Sequence, residues 1–330
     1  MKYNLLNRKN KFIYIICLFF FSISINQYYG NIGLNPIDSF FSFNSGYDVL
    51  NGRYPFKDYW TITGPFIAFT QALFFKIFGV SWFSYVLQAS VFNFIITISA
   101  FLTFYKFKLD LKYCFFYSLS IAMLSNPSAG TPYVDHQSSY LSIMSIFIFV
   151  LALKENSRFY WFLLPIIMFI SFLTKQTPSG HIFLIISFLS FYYFILNFDI
   201  KKIFLGIAGS VFIVLFFLIT FLFLEISIKS FINQYILFPL TLGESRLEQL
   251  FPLEFKRIFL RYKLIHFSSF LMLIIIIKNI SNKFAYIKSN EFIIIVSLLG
   301  SSYALIVHQL MTVNGIFIFF IIPILCGFSH

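Results

Sequence analysis

Long uncharged apolar stretches alternate with short polar connections along the whole chain. About 20 apolar residues are needed to cross the hydrocarbon core of a bilayer. We therefore predict an all-α polytopic membrane protein, a single transmembrane domain over residues 1–330 with about ten transmembrane helices. The predicted spans lie near residues 12–28, 80–105, 113–126, 138–153, 159–174, 178–198, 203–224, 263–277, 292–308 and 314–329.

The distribution of basic residues predicts the orientation of these spans. The stretch 64–79, GPFIAFTQALFFKIFG, fits either an eleventh span or an amphipathic helix lying in the membrane interface. Cytoplasmic connections of membrane proteins are enriched in Lys and Arg. With a cytoplasmic N-terminus and an interfacial 64–79, these connections hold 14 of the 24 basic residues and four of the 12 acids. Making 64–79 a full span would invert every later loop, so we predict the interfacial helix.

Composition agrees with a membrane protein and narrows the function classes. The chain is 59% hydrophobic and 11% charged, with a mean hydropathy of +0.84. Its formal net charge of +12 follows from the predicted topology, and without a basic recognition motif it predicts no nucleic-acid partner. The three cysteines lie in apolar segments and predict no disulfide framework. The basic N-terminal residues followed by an apolar run resemble a signal peptide, but the nine further predicted spans favour an uncleaved signal anchor. We expect the protein in a bacterial inner (plasma) membrane.

Four polar regions fall on the predicted outer side, where the connections are longer than those on the inner side. We expect the chemistry of the protein there. No nucleotide-binding loop, serine-nucleophile elbow or zinc-protease motif occurs in the chain. The outer regions are the first loop at 29–79 and the later loops at 126–137, 175–178 and 225–262.

The first outer loop contains three of the 12 acids, Asp38, Asp48 and Asp58. Asp38 suits the first turn of a helix, and Asn51-Gly52 suits its end. The helix dipole would keep a carboxylate in the first turn ionised and able to accept a proton. The alternative is that Asp38 only caps the helix.

Two further outer loops place charged or titratable residues beside apolar spans. Asp135 precedes His136, and Lys175 stands alone between two spans. Such residues often face cavities or ligands, although Asp135 could be solvated and Lys175 could extend to the interface. His136 has no second ligand at metal spacing, so no metal site is predicted. His266 and His308 are interpreted as hydrogen-bonded packing residues.

The order of residues after the first span resembles that of a known enzyme superfamily. The matching residues are Asp38, Tyr47, Gly52, Pro55, Asp58 and Pro65, followed by a Phe78-Gly79 turn. This arrangement resembles the polyprenol-phosphate-sugar-dependent glycosyltransferases of the GT-C superfamily, which include protein O-mannosyltransferases and the lipid A aminoarabinose transferase. The outer segments GTPYVDHQ and TKQTP also look like elements of that family. The resemblance covers most of residues 1–200.

The resemblance implies an inverting glycosyltransferase that acts on the outer face of the membrane without a metal or other cofactor. Asp38 matches the catalytic base of the family. The implied partners are a polyprenol-phosphate-linked sugar donor, membrane lipid, and a glycan, lipid or protein acceptor of the cell envelope, such as lipopolysaccharide. Candidate substrate-binding residues are Tyr47, Arg53, Lys57, Asp58, Asp135, His136, Lys175 and Arg246.

The chain departs from the family pattern, and two other functions stay open. Ser39 stands where protein O-mannosyltransferases have Glu, and Gly64 precedes Pro65 where the aminoarabinose transferase type has Lys. The chain is also shorter than most relatives, so we expect missing C-terminal spans. A transporter or flippase of polyprenol-linked glycans is expected to have charged residues within its spans and internal repeats, whereas the interiors of the spans predicted here are free of charge and no repeat is visible. A lipid-linked O-antigen polymerase would use a late Arg-rich outer loop such as 225–262.

Overall fold

The computed structural model describes residues 2–33, 38–125, 130–248, 250, 254–313 and 318–330, and these residues form helices and connections without a β-strand. The long helices are joined by short connections, except between α9 and α13, where a series of short helical turns intervenes. The helices are α1 Lys2–Gly30, α2 Asp38–Leu50, α3 Pro65–Phe78, α4 Trp82–Lys106, α5 Leu111–Ser125, α6 Val134–Glu155, α7 Arg158–Phe172, α8 Gln176–Leu196, α9 Ile200–Phe223, α10 Ile228–Phe231, α11 Phe238–Thr241, α12 Gly243–Glu248, α13 Lys263–Asn282, α14 Asn290–Thr312 and α15 Ile321–Ser329.

Seven of the described helices are long and apolar enough to cross a membrane, which indicates an integral membrane protein. They are α1 (over Asn10–Gly30), α4, α6, α8, α9, α13 and α14. Helices α5 and α7 have 15 residues each, and α15 has nine. The predicted span at 314–329 coincides with α15, but residues 314–317 lie outside the described part of the chain. The count of ten spans therefore stays a prediction.

The ends of several helices follow from local sequence. Helix α2 ends at Leu50, and Gly52 adopts a φ of +78°, which side chains other than glycine rarely adopt, as the Asn51-Gly52 stop predicts. Helix α3 begins at Pro65, whose missing N–H is not needed at a helix start. Helix α9 is capped by the Asp199 side chain, which accepts from the backbone N–H groups of Lys201 and Lys202. The first outer loop thus contains the two short helices predicted for it.

The connections gather at two opposite ends of the bundle. At one end, which we call the site end, the loop 51–64, the residues before α6, the α7–α8 turn and the segment 224–235 lie together. The backbone N–H of Gly64 donates to Thr174 O at 3.2 Å, and Lys57 Nζ lies 3.0 Å from a carboxylate oxygen of Glu225. Asn26 Nδ2, near the end of α1, reaches Gly130 O at 3.5 Å.

The opposite end, which we call the basic end, joins the connections 107–110, 156–157, 197–199 and 283–289. Lys106 Nζ and a carboxylate oxygen of Glu155 lie 2.9 Å apart there. Tyr192 donates to Ile287 O at 3.2 Å, which ties the end of α8 to the short 3-10 helix before α14. The four predicted outer regions all have described residues at the site end, and the predicted cytoplasmic connections lie at the basic end.

Helix α6 forms the centre of the bundle. It packs against α4, α7, α8 and α14. In its most apolar stretch of 18 residues, 89% of the residues are buried inside the protein. By contrast, only 11% of the residues in the most apolar 18-residue stretch of α9 are buried. An acidic residue in the first turn of α6 is therefore placed in the interior of the site end rather than on its surface.

Candidate functional site

A buried cluster of three titratable residues lies at the site end. The Oδ1 atom of Asp135 lies 2.6 Å from Lys175 Nζ and 2.7 Å from His308 Nε2. The side chains of Asp135 and His308 are 3% and 1% exposed, and that of Lys175 is 15% exposed. Asp135 is therefore a buried ion-pair partner, and neither the solvated acid nor the interfacial lysine considered from the sequence is observed.

Three helix ends bring this cluster together. Asp135 occupies the first turn of α6, where the helix dipole favours a carboxylate. Lys175 lies three residues after the end of α7 and directly precedes α8, and its backbone N–H donates to Ser171 O at 3.2 Å. His308 lies in the last turns of α14, where the dipole favours a hydrogen-bond donor or a cation. The helix ends that carry Asp135 and His308 thus suit those groups, whereas Lys175 is the residue before α8 and is held there by Asp135 rather than by the dipole of α8.

Two further basic or titratable groups act on this cluster. Helix α12 packs against α14, and Arg246 on α12 lies close enough to His308 to interact with it electrostatically. His181 on α8 does the same. With neutral histidines, Lys175 and Arg246 carry two positive charges against the one negative charge of Asp135. Among these groups positive charge exceeds negative charge by one, which suits an anionic group, and α12 also carries Glu248 two residues after Arg246.

The charged residues of the first loop that were predicted to bind substrate have partners other than the buried cluster. Arg53 Nη1 lies 3.3 Å from Asp48 Oδ1, and Lys57 is paired with Glu225. The backbone N–H of Tyr54 donates to Asp58 Oδ2 at 2.7 Å, so Asp58 closes a turn of the loop. The described contacts of Arg53, Lys57 and Asp58 are thus with the loop and its neighbours and not with Asp135. Tyr47 lies on α2 with 48% of its surface exposed.

Asp38 is the first described residue of α2, and its side chain lies outside the described part of the structure. One and two turns later on α2, Ser42 and Ser45 line a small cleft together with Thr61 and Val134. Val134 directly precedes Asp135. Helix α2 therefore packs beside the residue that leads into the buried cluster, although the position of the Asp38 carboxylate is not described.

Tyr59 also lines this small cleft, although no sequence pattern singled it out. Its buried hydroxyl has a pKa raised well above the ordinary value, mainly because burial disfavours the charged form and also because Asp48 lies near. The Tyr59 hydroxyl is therefore protonated at neutral pH and can act as a hydrogen-bond donor within the cleft.

His136 and His308 differ in their surroundings. His136 is buried, and its ring stacks on Tyr140 with centroids 6.0 Å apart and lies edge-on to Tyr133 at 5.7 Å. His308 is hydrogen-bonded as predicted, but its partner is Asp135, 173 residues away in the sequence. Sequence reasoning missed this partnership because nothing in the local pattern relates the two positions.

Gln176 connects three segments of the site end by hydrogen bonds, and it was not selected from the sequence. Its Nε2 donates to Ile62 O at 3.0 Å and to Tyr235 O at 2.6 Å. Nearby, the backbone N–H of Thr61 donates to Gln234 Oε1 at 3.1 Å. The residue after Lys175 thus fixes the first loop and the segment 232–237 against the same turn that carries the Lys175 ammonium.

A buried group of serine hydroxyls supports the start of α6 from below. The Ser138, Ser171 and Ser179 hydroxyls lie within 2.7–2.8 Å of a neighbouring hydroxyl of the group, and Ser142 joins them at 2.8 Å from Ser171. Because α6, α7 and α8 each contribute to this group, it holds the helix ends that carry Asp135 and Lys175 in register.

Comparison with known proteins found no matching family model and no matching curated protein.

Proposed function

We propose that the protein is an inverting glycosyltransferase that uses a polyprenol-phosphate-linked sugar at the site end. The observation that carries this proposal is the buried cluster of Asp135, Lys175 and His308 with Arg246 near it, whose excess positive charge suits a lipid phosphate. The small cleft between α2 and Val134 supports it further, because it brings the helix that begins at Asp38 beside this cluster.

In the proposed reaction, an acceptor hydroxyl oxygen attacks the anomeric carbon of the donor sugar. The bond between that carbon and the phosphate oxygen breaks, and its electron pair stays on the phosphate of the departing polyprenol phosphate. The hydroxyl proton passes to the Asp38 carboxylate, which later releases it to water. Lys175 and Arg246 stabilise the charge that develops on the leaving phosphate. The attack from the opposite face inverts the anomeric configuration.

The membrane arrangement proposed with this function has about ten spans. Helices α5 and α7 run between the same two ends of the bundle as their longer neighbours, so we count them as spans, together with α15. The site end faces the outer side of a bacterial inner membrane, and the basic end with the N-terminus faces the cytoplasm, because Lys and Arg favour the cytoplasmic side. Helix α3 lies in the interface.

The proposal is tested by donor turnover with purified protein and a radiolabelled polyprenol-phosphate sugar. Loss of a general base lowers a rate by about 10²- to 10⁴-fold, and we expect a fall of that size for Asp38→Asn. Asp48→Asn is the matched control, because Asp48 is another acid of α2 and its described ion pair is with Arg53 alone. A well-folded Asp38→Asn protein with wild-type turnover would overturn the role of Asp38.

A transporter or flippase for polyprenol-linked glycans is the second candidate. Asp135 and His308 are buried titratable residues on α6 and α14, two of the helices long enough to span, and such residues often mark transport pathways. Proteoliposomes loaded with an acceptor separate the two functions. Covalent transfer of label to the acceptor supports the transferase, and movement of intact donor without transfer supports the transporter. Repeated addition to one acceptor would instead support a polymerase.

A further inference from the structure

An apolar groove opens on the side of the bundle between α7, α8 and α9. Helix α7 packs closely on α9, whereas α8 and α9 make little contact with each other after their connection at 197–199. The space between them has a volume of about 700 Å³, within the range of about 300–1,000 Å³ that is usual for ligand sites. Its lining is almost entirely apolar and includes Trp161, Met168, Phe183, Phe194 and Ile207.

Lys202 lines this groove at the basic end. Its side chain is only 6% exposed, and its Nζ donates to Asn156 Oδ1 at 2.5 Å and to Tyr193 Oη at 2.8 Å. The nearest carboxylate oxygen, Asp199 Oδ2, lies 3.8 Å away, which is an ion-pair distance but too long for a hydrogen bond. An ammonium has three N–H donors, so among the described residues the third has no hydrogen-bond partner.

The surroundings of Lys202 favour an anion. Lys201 is exposed beside it, and Asp199 is the acid next to both, with its other oxygen engaged in capping α9. Arg158 begins α7 three residues before Trp161, so a further cation stands at the same end of the bundle. A buried cation beside exposed basic residues, at the end of an apolar groove between helices, is the pattern that binds anionic lipid headgroups.

We propose that this groove binds an anionic phospholipid from the membrane leaflet at the basic end, with its phosphate at Lys202 and one acyl chain along the groove. The sideways opening allows a lipid to enter from the bilayer. The apolar lining suits a hydrocarbon chain and offers few polar groups to a sugar. This lipid site lies at the opposite end of the bundle from the Asp135 cluster, and it does not depend on the proposed transferase activity.

Native mass spectrometry of the purified protein, transferred into an equimolar mixture of phosphatidylglycerol and phosphatidylcholine, tests the proposal. We expect phosphatidylglycerol to be retained over phosphatidylcholine by about five-fold, the effect of one basic side chain on an anionic headgroup. Lys202→Gln should remove this preference. Ser187→Trp, which fills the groove from α8, should reduce the retention of both lipids. Leu184→Trp is the matched control, since Leu184 lies one turn away on α8, is 68% exposed and does not line the groove.

Three outcomes would overturn the proposal. The first is equal retention of the two lipids by the wild-type protein. The second is an undiminished preference in a folded Lys202→Gln protein, or, if that variant aggregates, undiminished retention by Ser187→Trp. The third is displacement of the lipid by inorganic phosphate alone, which would indicate a site for free phosphate rather than for a phospholipid.

Discussion

The ammonium of Lys175 and the carboxylate of Asp135 lie 2.6 Å apart inside the site end of the bundle. The pair joins the turn between α7 and α8 to the first turn of α6, and His308 binds the same carboxylate oxygen from α14. Because a buried charge without a partner is costly, these two contacts together link the charged state of Asp135 to the relative position of four helices, α6, α7, α8 and α14.

Asp135→Asn should destabilise the protein strongly. The substitution removes the charge that compensates Lys175, and breaking a buried ion pair on one side costs about 3–5 kcal/mol. The double variant Asp135→Asn with Lys175→Met should cost less than the sum of the two single variants, because neither charge then remains unpaired. The melting temperature in detergent, measured for all four proteins of the cycle, reports this coupling.

Glu225→Gln provides the control for that cycle. It breaks the ion pair with Lys57, but the Glu225 side chain is 82% exposed, and an exposed pair contributes about 1 kcal/mol or less. The two ion pairs lie at the same end of the bundle, so burial is the main difference between them. A melting temperature that falls as much for Glu225→Gln as for Asp135→Asn would argue against a buried role for Asp135.

Gly64→Ala should disrupt the packing of the first loop on the α7–α8 turn. A Cβ at Gly64 would lie 1.8 Å from Leu173 O and 2.8 Å from Thr174 O, and these backbone atoms cannot move aside like a flexible side chain. The loop and the turn are also joined by backbone hydrogen bonds from Gly64 and Phe66. We expect a lower melting temperature and faster proteolysis of the first loop.

Gly180→Ala is the matched control for that substitution. Gly180 lies in α8, and nothing lies within 4 Å of a Cβ built there. Alanine is favoured over glycine within a helix by about 1 kcal/mol, so this variant should be as stable as the wild type or more stable. A Gly64→Ala protein as stable as Gly180→Ala would mean that the loop and the turn are not in close contact at Gly64.

Gln176→Ala should loosen two segments that are far apart in the sequence. The variant leaves the carbonyl groups of Ile62 and Tyr235 without the Gln176 amide donor, at a cost of about 1–3 kcal/mol for unpaired buried groups. Hydrogen–deuterium exchange should therefore rise both in the loop near residue 62 and in the segment 232–237. Asn51→Ala, which removes a side-chain hydrogen bond from the residue after α2 back to Tyr47 O, should raise exchange only locally. Unchanged exchange in either distant segment would contradict the bridging role of Gln176.

The helices could be predicted from the sequence because they depend on local signals. The alternation of apolar stretches and polar connections located ten helices, and Asn51-Gly52 and Pro65 marked helix boundaries that the structure confirms. Counting the basic residues in alternate connections also placed the four polar regions on the same side, and their described residues lie at the same end of the bundle. The apolar stretches did not predict the lengths of α5, α7 and α15. These helices have 15, 15 and nine residues, fewer than the about 20 needed to cross a hydrocarbon core.

The partners of the site residues could not be predicted, because they depend on contacts between distant helices. Asp135 and Lys175 were selected for being charged beside apolar spans, but the same pattern fits solvated or interfacial residues. His308 and Gln176 carry no such signal, and their importance follows from hydrogen bonds across 173, 114 and 59 positions. The groove at Lys202 was missed for a similar reason, since basic residues at a span end are expected from topology alone.

Cysteine labelling should test the orientation proposed for the two ends. Trp60 at the site end is 61% exposed, and Phe284 at the basic end is 77% exposed, so Trp60→Cys and Phe284→Cys are a matched pair of exposed aromatic positions. In a background with Cys17, Cys114 and Cys326 replaced by Ser, a membrane-impermeant maleimide added to intact bacterial cells or spheroplasts should label Trp60→Cys alone. Phe284→Cys should react only after the membrane is opened. The opposite pattern would place the Asp135 cluster in the cytoplasm, and labelling of both in intact cells would mean that the two positions are not separated by a membrane.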